Sequence, residues 1–594
     1  MKIHIIKYFF VALLAFSIVG CEDYLEEVNP NEISTDSYWR NLNDCKTGLV
    51  AVYNQLRNGG IIGLSEENSR ADLVWPGWGR PNTNNEYYLQ TFTDASAAPN
   101  TKWSALYTGV FRANQVIKGL EGIKDAMITE EDIEDWEQTM GQARFLRGFF
   151  YFHLHNAFNN GSVIIYKFVP LVEEDFYQPL STSEEVLAFY RADLEYAHEN
   201  LPVEWTKYDN GEILDPQNAG RVTQGAAAAL LGKSYLYEKD YANAIKYLEM
   251  VTGDSRYKLV DVSENMTTKG ELNQESILEI VYSMDFKTEE TQWSAEGTTN
   301  TFNMLYAPAG SLGGWRANYP SCWLIMAYKN DAMDTNDPRN NVPDPAGGEK
   351  LRKYSLRTSY SVALVDDEDL QYYGLTCAQA TFFNNKETAY FRKYTNWDIY
   401  GKKGENEANP AERSGINFRV IRLADVYLML AEAYIKGGSD DAGVSEALKY
   451  INRVRFRSAL RLLGMAADSE NPGATHDETA YDAQAVMDHL MYVERPLELA
   501  GEGIGIRQYD MRRWGITAQR LRDLSTRLYY VTDFPFVKED GKADTRWGAV
   551  LNEGVHPEGG QQLIDFQQAA NNYIESEHAY YPIPRDERLT NPKL

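Results

Sequence analysis

Apolar residues recur along this chain at three- and four-residue intervals in four separated blocks, and each block reads as two helices joined by a turn. In the block 222–251, Ala227, Leu230, Leu231 and Tyr235 share one helical face, and Tyr241, Ala244, Leu248 and Val251 share another. Glu238-Lys239-Asp240 is the polar turn between them. Leu231-Gly232-x-x-Tyr235, followed by Ala244, has the spacing of a tetratricopeptide unit, where small residues let two helices cross closely. A single unit leaves one apolar face bare, so others must stack on it.

Three further pairs supply that cover. The first, about 36–120, sets Leu42, Cys45, Leu49, Val52, Tyr53 and Leu56 against Trp103, Leu106, Tyr107, Val110 and Ile117. The second, 132–200, sets Trp136, Met140, Ala143, Leu146, Phe150 and Leu154 against Val186, Phe189, Tyr190, Leu194 and Ala197. The last, 418–458, repeats the motif as Leu430-Ala431-x-x-Tyr434 and carries Val426, Met429 and Ala433 opposite Ala447, Tyr450, Ile451 and Val454. The pattern predicts a mainly α fold: four tetratricopeptide-like helix pairs in a superhelical scaffold. A loop-rich region, about 253–417, with short strand-like runs such as 277–282, packs on it, and a C-terminal segment, 480–594, follows. Residues 36–594 read as one domain, because no Pro/Ser linker divides them. Residues 58–100 form a loop too long for a simple turn, the kind that in a helical scaffold carries function or is disordered.

Composition changes the picture in three ways. Aromatic residues make up 13% of the chain, which leaves Trp and Tyr to spare for surfaces. A formal charge of −28 argues against nucleic acid or an anionic lipid surface as a direct partner, since both need a basic footprint. The cysteines at 21, 45, 322 and 377 have neither zinc-site nor disulfide-framework spacing, and no phosphate loop or nucleophile elbow occurs, so no cofactor or metal is expected.

The N-terminus is a strong local signal. Lys2 and Lys7 precede an apolar run, 8–19, long enough for a signal-peptide core and too short to span a bilayer. It ends in Ile18-Val19-Gly20-Cys21, which resembles the lipobox of bacterial lipoproteins. On that reading residues 1–20 are a cleaved leader, Cys21 is the lipidated first residue, and 21–35 form a tether to the membrane. The alternative is an ordinary secretory leader that carries a cysteine.

Five motifs in order resemble those of the SusD/RagB family of outer-membrane nutrient-binding lipoproteins. They are the opening Cys21-Glu22-Asp23 with Asp36-x-x-Trp39; Gln142-Ala143-Arg144-Phe145-Leu146-Arg147-Gly148-Phe149-Phe150-Tyr151-Phe152; Arg422-Leu423-Ala424-Asp425-Val426-Tyr427-Leu428 with Ala431-Glu432-Ala433; Glu494-Arg495-Pro496-Leu497-Glu498 running on to Asp510-Met511-Arg512-Arg513-Trp514-Gly515; and Tyr581-Pro582-Ile583-Pro584. The chain departs from the family pattern at Gly505, where an Arg is expected, and at Gly161-Ser162-Val163-Ile164, where a Gly-x-Val-Pro turn is expected. The resemblance implies a lipid-anchored outer-membrane protein facing the cell exterior, partnered with a SusC-like TonB-dependent transporter, that captures an oligosaccharide and does no chemistry on it. It also gives Glu22 and Asp23 two readings, an acidic surface-export signal or a merely solvated tether. A peptide ligand, as in RagB-like members, and a lipoprotein glycoside hydrolase stay open as alternatives.

A sugar ring offers C–H groups to an aromatic face and a rim of hydroxyls to amides, carboxylates and Arg. Two stretches have that character. One runs 75–85 with Trp75, Trp78, Arg80 and Asn84; the other runs 313–319 with Trp315, Arg316 and Tyr319. These seven are the candidate ligand-binding residues, with Trp293 and Trp397 as weaker ones. Other constellations read as structural. His153-x-His155 cannot chelate from one helix, because residues two apart point to different faces. Glu494, Glu498 and Glu502 fall at helical spacing and could be taken for a catalytic pair, but Arg495, Arg507, Arg512 and Arg513 nearby favour an ion network. Asp331, Asp334 and Asp337 lack the order of a calcium loop.

Overall fold

The computed structural model describes residues 38–594 apart from 78–83, 206–207, 210–211, 214–217, 285–296, 311, 316, 381–382, 384–386 and 400–412. The leader, Cys21 and the tether thus lie outside the described residues. The four predicted pairs are present as α1 (Leu42–Gln55) with α2 (Ala97–Ile123), α3 (Glu130–Ala157) with α4 (Ser183–Asn200), α5 (Gln224–Tyr237) with α6 (Tyr241–Thr252), and α7 (Leu423–Gly437) with α8 (Val444–Arg457). Each helix packs on its successor through the whole series, including α6 on α7 across the long insertion, so one continuous core runs the length of the scaffold.

Local sequence explains the helix limits. Thr129 and Thr182 begin α3 and α4 with capping boxes, each hydroxyl accepting from the N–H of Asp132 or Glu185 while that carboxylate accepts in return. The small residues of the repeat motif act as expected. A Cβ on Gly232 would meet Leu248 at 2.6 Å, so α5 and α6 can approach only because that atom is missing. Gly109 does the same between α2 and α3, where a Cβ would lie 2.5 Å from the Phe150 ring. His155 reaches Ser183 at 2.9 Å, while His153 packs against Phe149 and Phe152; burial lowers both imidazoles, His155 to about 4. The closing motif seals the scaffold: the Tyr581 N–H donates to Ala157 O at 2.7 Å, and the Arg70 guanidinium lies 3.7 Å over the Tyr581 ring.

Among the described residues the strands pair two by two, and all are short except those of the last pair. β1 (Val74–Pro76) pairs with β3 (Asn318–Pro320), β2 (Ser276–Ile280) with β6 (Phe418–Arg422), β4 (Val362–Leu364) with β5 (Ala389–Phe391), and β7 (Tyr529–Val537) with β8 (Ala543–Glu553), all antiparallel. The run 277–282 is therefore strand as far as Ile280 and is held by β6, which leads directly into α7. The stretch 58–100 differs from the open loop expected. About half of its described residues are buried, and it holds the short helices Gly59–Ile62, Leu64–Arg70 and Glu86–Leu89 besides β1.

The loop-rich region is fastened to the scaffold by buried ion pairs. Glu494 meets Arg357, Arg455 at 2.8 Å and His489 at 2.9 Å; Glu498 meets Arg457 and, at 2.7 Å, Arg422; Glu502 meets Lys393 at 2.6 Å and Arg422. A structural network was expected here, but with other partners. Arg495 serves Asp425 and Asp510, Arg513 serves Asp510 and Glu432, Arg507 serves Asp72, and Arg512 donates to the Asn156 carbonyl. Apart from His489, the partners of the three glutamates come from β6, α8 and residues 357 and 393, because side chains adjacent along a helix point away from one another. Asp331, Asp334 and Asp337 also diverge, to Arg357, Thr475 and Arg339 respectively.

Glu271 is a carboxylate of the opposite kind. Burial pushes it up to about 7 from 4.5, although it accepts the Asn417 N–H at 3.0 Å. A carboxyl raised in the folded state favours folding while it is protonated, and that contribution is lost as pH climbs from the ordinary value through the raised one. Glu271→Gln is therefore expected to stabilise the protein by about 1–3 kcal/mol near pH 8 and to change nothing near pH 4. Denaturant midpoints at the two pH values test this; an equal effect at both would rule out the titration.

Candidate functional site

The two aromatic stretches, more than two hundred residues apart in sequence, meet in the β1–β3 pair. Register sets Trp75 directly opposite Tyr319, and their rings stack at 4.6 Å with an interplanar angle of 14°. Tyr319 also lies against Tyr390 of β5 at 5.5 Å, and both phenols donate to the Glu387 carboxylate, at 3.2 and 2.8 Å. The Trp75 and Tyr319 rings are each only 2% exposed, unlike the exposed rings expected.

Trp315 stands differently. Its ring is 40% exposed while its backbone N–H is tied to Met304 O at 2.9 Å. The turn before it closes with Gly314 N–H donating to Pro308 O at 3.0 Å, and Gly313 takes a left-handed φ of +82°. No residue with a Cβ fits at 314, where that atom would fall 1.7 Å from the Ala307 carbonyl oxygen. The glycines thus fix the backbone from which the partly exposed indole projects. The Gly77 N–H donates to Ala317 O at 2.9 Å, so the chain passes from β1 toward residue 78 alongside the Trp315 turn. Asn84 is exposed, and Asn85 caps the following helix by accepting from the Tyr88 N–H at 2.9 Å. Trp78, Arg80 and Arg316, and Trp293 among the weaker candidates, lie outside the described residues. Trp397 is half-buried with the Arg392 guanidinium 4.7 Å over its ring.

Sequence reading missed the Glu387 clamp and a cleft elsewhere. That cleft, about 400 Å³, is bordered by Trp103, Tyr107, Phe111, Phe176 and Glu587, and no candidate residue lines it. Its rings meet at steep angles, Phe111 on Phe176 at 89° and Phe111 on Tyr166 at 70°, so it presents ring edges more than an open face. The three glutamates that spacing could suggest as an acid pair are each engaged by buried guanidinium or ammonium partners. Among the described residues no helix is long and apolar enough to cross a membrane.

Comparison with known proteins yields a consistent set. A model described as SusD family matches residues 274–594, and one described as starch-binding associating with outer membrane matches residues 23–236. A SusD-like protein of Formosa agariphila is 27% identical over 549 residues, covering 89% of this chain and 93% of its own. Among solved structures, a SusD superfamily protein from Bacteroides vulgatus superposes with a TM-score of 0.67 at 25% identity, over 94% of this chain and 98% of that one. A surface glycan-binding protein A from Bacteroides thetaiotaomicron, solved in complex with laminarihexaose, superposes with a TM-score of 0.60 at 20% identity, over 93% and 98%.

Proposed function

Because the chain belongs to the SusD family, we propose that it is a surface lipoprotein that captures an oligosaccharide and hands it to a SusC-type TonB-dependent transporter in the outer membrane. The observation that carries the proposal is Trp315: a partly exposed indole on a glycine-fixed turn that leads into β3. Rings held this way gain from C–H contact with a sugar and pay little ordering entropy, since their backbone is already fixed. Trp78, Arg80, Asn84 and Arg316 complete the proposed site on the grounds of their sequence, as groups suited to hydroxyl recognition. The laminarihexaose-bound relative supports a glycan over a peptide as the ligand.

Titration calorimetry of residues 22–594 against oligosaccharide and peptide panels tests the reading, with laminarin-derived chains included. Saccharide binding without turnover is the expected result. Heat from peptides alone, or cleavage of any ligand, would sink it.

The anchor has its own test. Cys21→Ser is expected to move the protein from the outer-membrane fraction of its host to the soluble or uncleaved-precursor pool, because Cys21 is the proposed acylation site. Unchanged fractionation of the variant, with no loss of incorporated palmitate, would exclude lipidation at this residue.

A further inference from the structure

Where the end of α1, the chain entering α5 and the end of β2 converge, they border a cleft of about 280 Å³. Val50, Leu56, Ile280 and Val281 give it aliphatic walls, and Arg57 and Arg221 line it as well. Gly220 lets the chain pass close to the end of β2. It takes a left-handed φ of +80°, and a Cβ there would fall 2.6 Å from Val281 Cγ2.

The two guanidiniums meet only neutral acceptors. Arg221 Nη1 donates to the Gln142 carboxamide oxygen at 3.0 Å. That oxygen also accepts the Tyr53 hydroxyl at 2.9 Å, and the hydroxyl in turn accepts the Val222 N–H at 3.1 Å. Arg57 donates to the Asn54 side-chain oxygen. Among the described residues neither arginine pairs with a carboxylate, in a chain whose 86 acidic residues outnumber its 58 basic ones. Glu279 borders the cleft too, but it is buried and committed elsewhere: it meets Arg419 at 3.3 Å and accepts from the Leu272 N–H at 3.1 Å and the Asn417 amide at 2.9 Å.

From these two uncompensated charges in an aliphatic cleft we infer that it binds an apolar group ending in a carboxylate, at a site separate from the proposed glycan site. A guanidinium presents its donors in a planar fork that fits a carboxylate. Both arginines are half-buried, where such hydrogen bonds are screened less than in open water. Arg221 is also pre-set, with its guanidinium 5.9 Å from the Tyr53 ring and 6.0 Å from the Trp205 ring, so little side-chain freedom is lost on binding. The Tyr53 hydroxyl is already used as donor and acceptor, and the walls are aliphatic, which favours an aliphatic or aryl acid over an acidic sugar.

Titration calorimetry of residues 22–594 with hexanoate, with N-acetyl-Leu-Leu bearing a free carboxylate, and with the amide of each tests the inference. The first acid stands for a free small molecule and the second for the end of a peptide chain. Binding of either acid, lost on amidation and weakened about tenfold or more by Arg57→Gln and by Arg221→Gln, bears it out, and the acid that binds identifies the source. Val281→Glu guards against a folding defect. That side chain is 39% exposed, so a carboxylate placed there should occupy the guanidiniums and block the acids while the melting curve stays as in wild type. Equal binding of acid and amide, acetate bound as tightly as hexanoate, or no binding of any acid would overturn the inference. So would acids that bind both arginine variants at wild-type affinity.

Discussion

Arg422→Ala is expected to yield little or no soluble folded protein. The guanidinium is 4% exposed and meets Glu275 at 2.6 Å, Glu498 at 2.7 Å and Glu502, besides donating to the Glu498 carbonyl at 2.9 Å. Its removal leaves three buried carboxylates sharing Arg457, Arg357 and Lys393. Breaking one buried pair costs about 3–5 kcal/mol, and here three are weakened together, against a total stability of about 5–15 kcal/mol for a typical domain. Arg422→Lys keeps the charge but not the fork and should fall between the two.

The pH dependence identifies the cause. In the native protein burial acts to raise Glu498, but Arg457, Arg422 and Arg357 prevail and hold it well below the ordinary carboxylate range. Its contribution is accordingly present above that range and lost only in strong acid. In the variant burial is less opposed, the carboxylates rise, and protonation relieves them. The deficit of Arg422→Ala should thus be largest near pH 8 and shrink toward pH 5. A soluble variant with the wild-type denaturant midpoint would show that the network contributes nothing to stability. A deficit that ignores pH would point to lost packing instead.

What could be read from the sequence follows from the range of each interaction. The helix pairs were legible because a repeat of three and four residues sets a buried face by itself, and because Gly232 and Ala431 mark the crossings. The ion network was legible in kind and not in partner. Glu494 and Glu498 share a helix surface, but Arg422 and Arg457 reach Glu498 from positions 76 and 41 residues earlier and Arg455 reaches Glu494, and spacing carries no record of that. Trp75 and Tyr319 were misjudged for the same reason. Each looks like a ring exposed by neighbouring Gly or Pro, and only the β1–β3 register brings the two into a buried stack. The hairpin was unforeseen because Pro535 and the bulge at Gly548 interrupt the alternation by which strands are recognised.

Trp315→Ala is expected to reduce glycan affinity by about thirtyfold or more, the loss of roughly 2 kcal/mol that an aromatic anchor supplies at the centre of a site. Folding should be nearly untouched, since much of the indole already faces solvent. Trp75→Ala makes the necessary contrast. That ring is buried in the stack on Tyr319, so its truncation opens a cavity and costs about 3–5 kcal/mol of stability. Any fall in binding there is a consequence of a loosened stack and says nothing about contact. The two variants therefore separate a loss of contact from a loss of folding: calorimetry and melting curves run side by side should show Trp315→Ala losing ligand at constant midpoint and Trp75→Ala losing midpoint first. Retention of full affinity by Trp315→Ala would move the ligand elsewhere on the molecule.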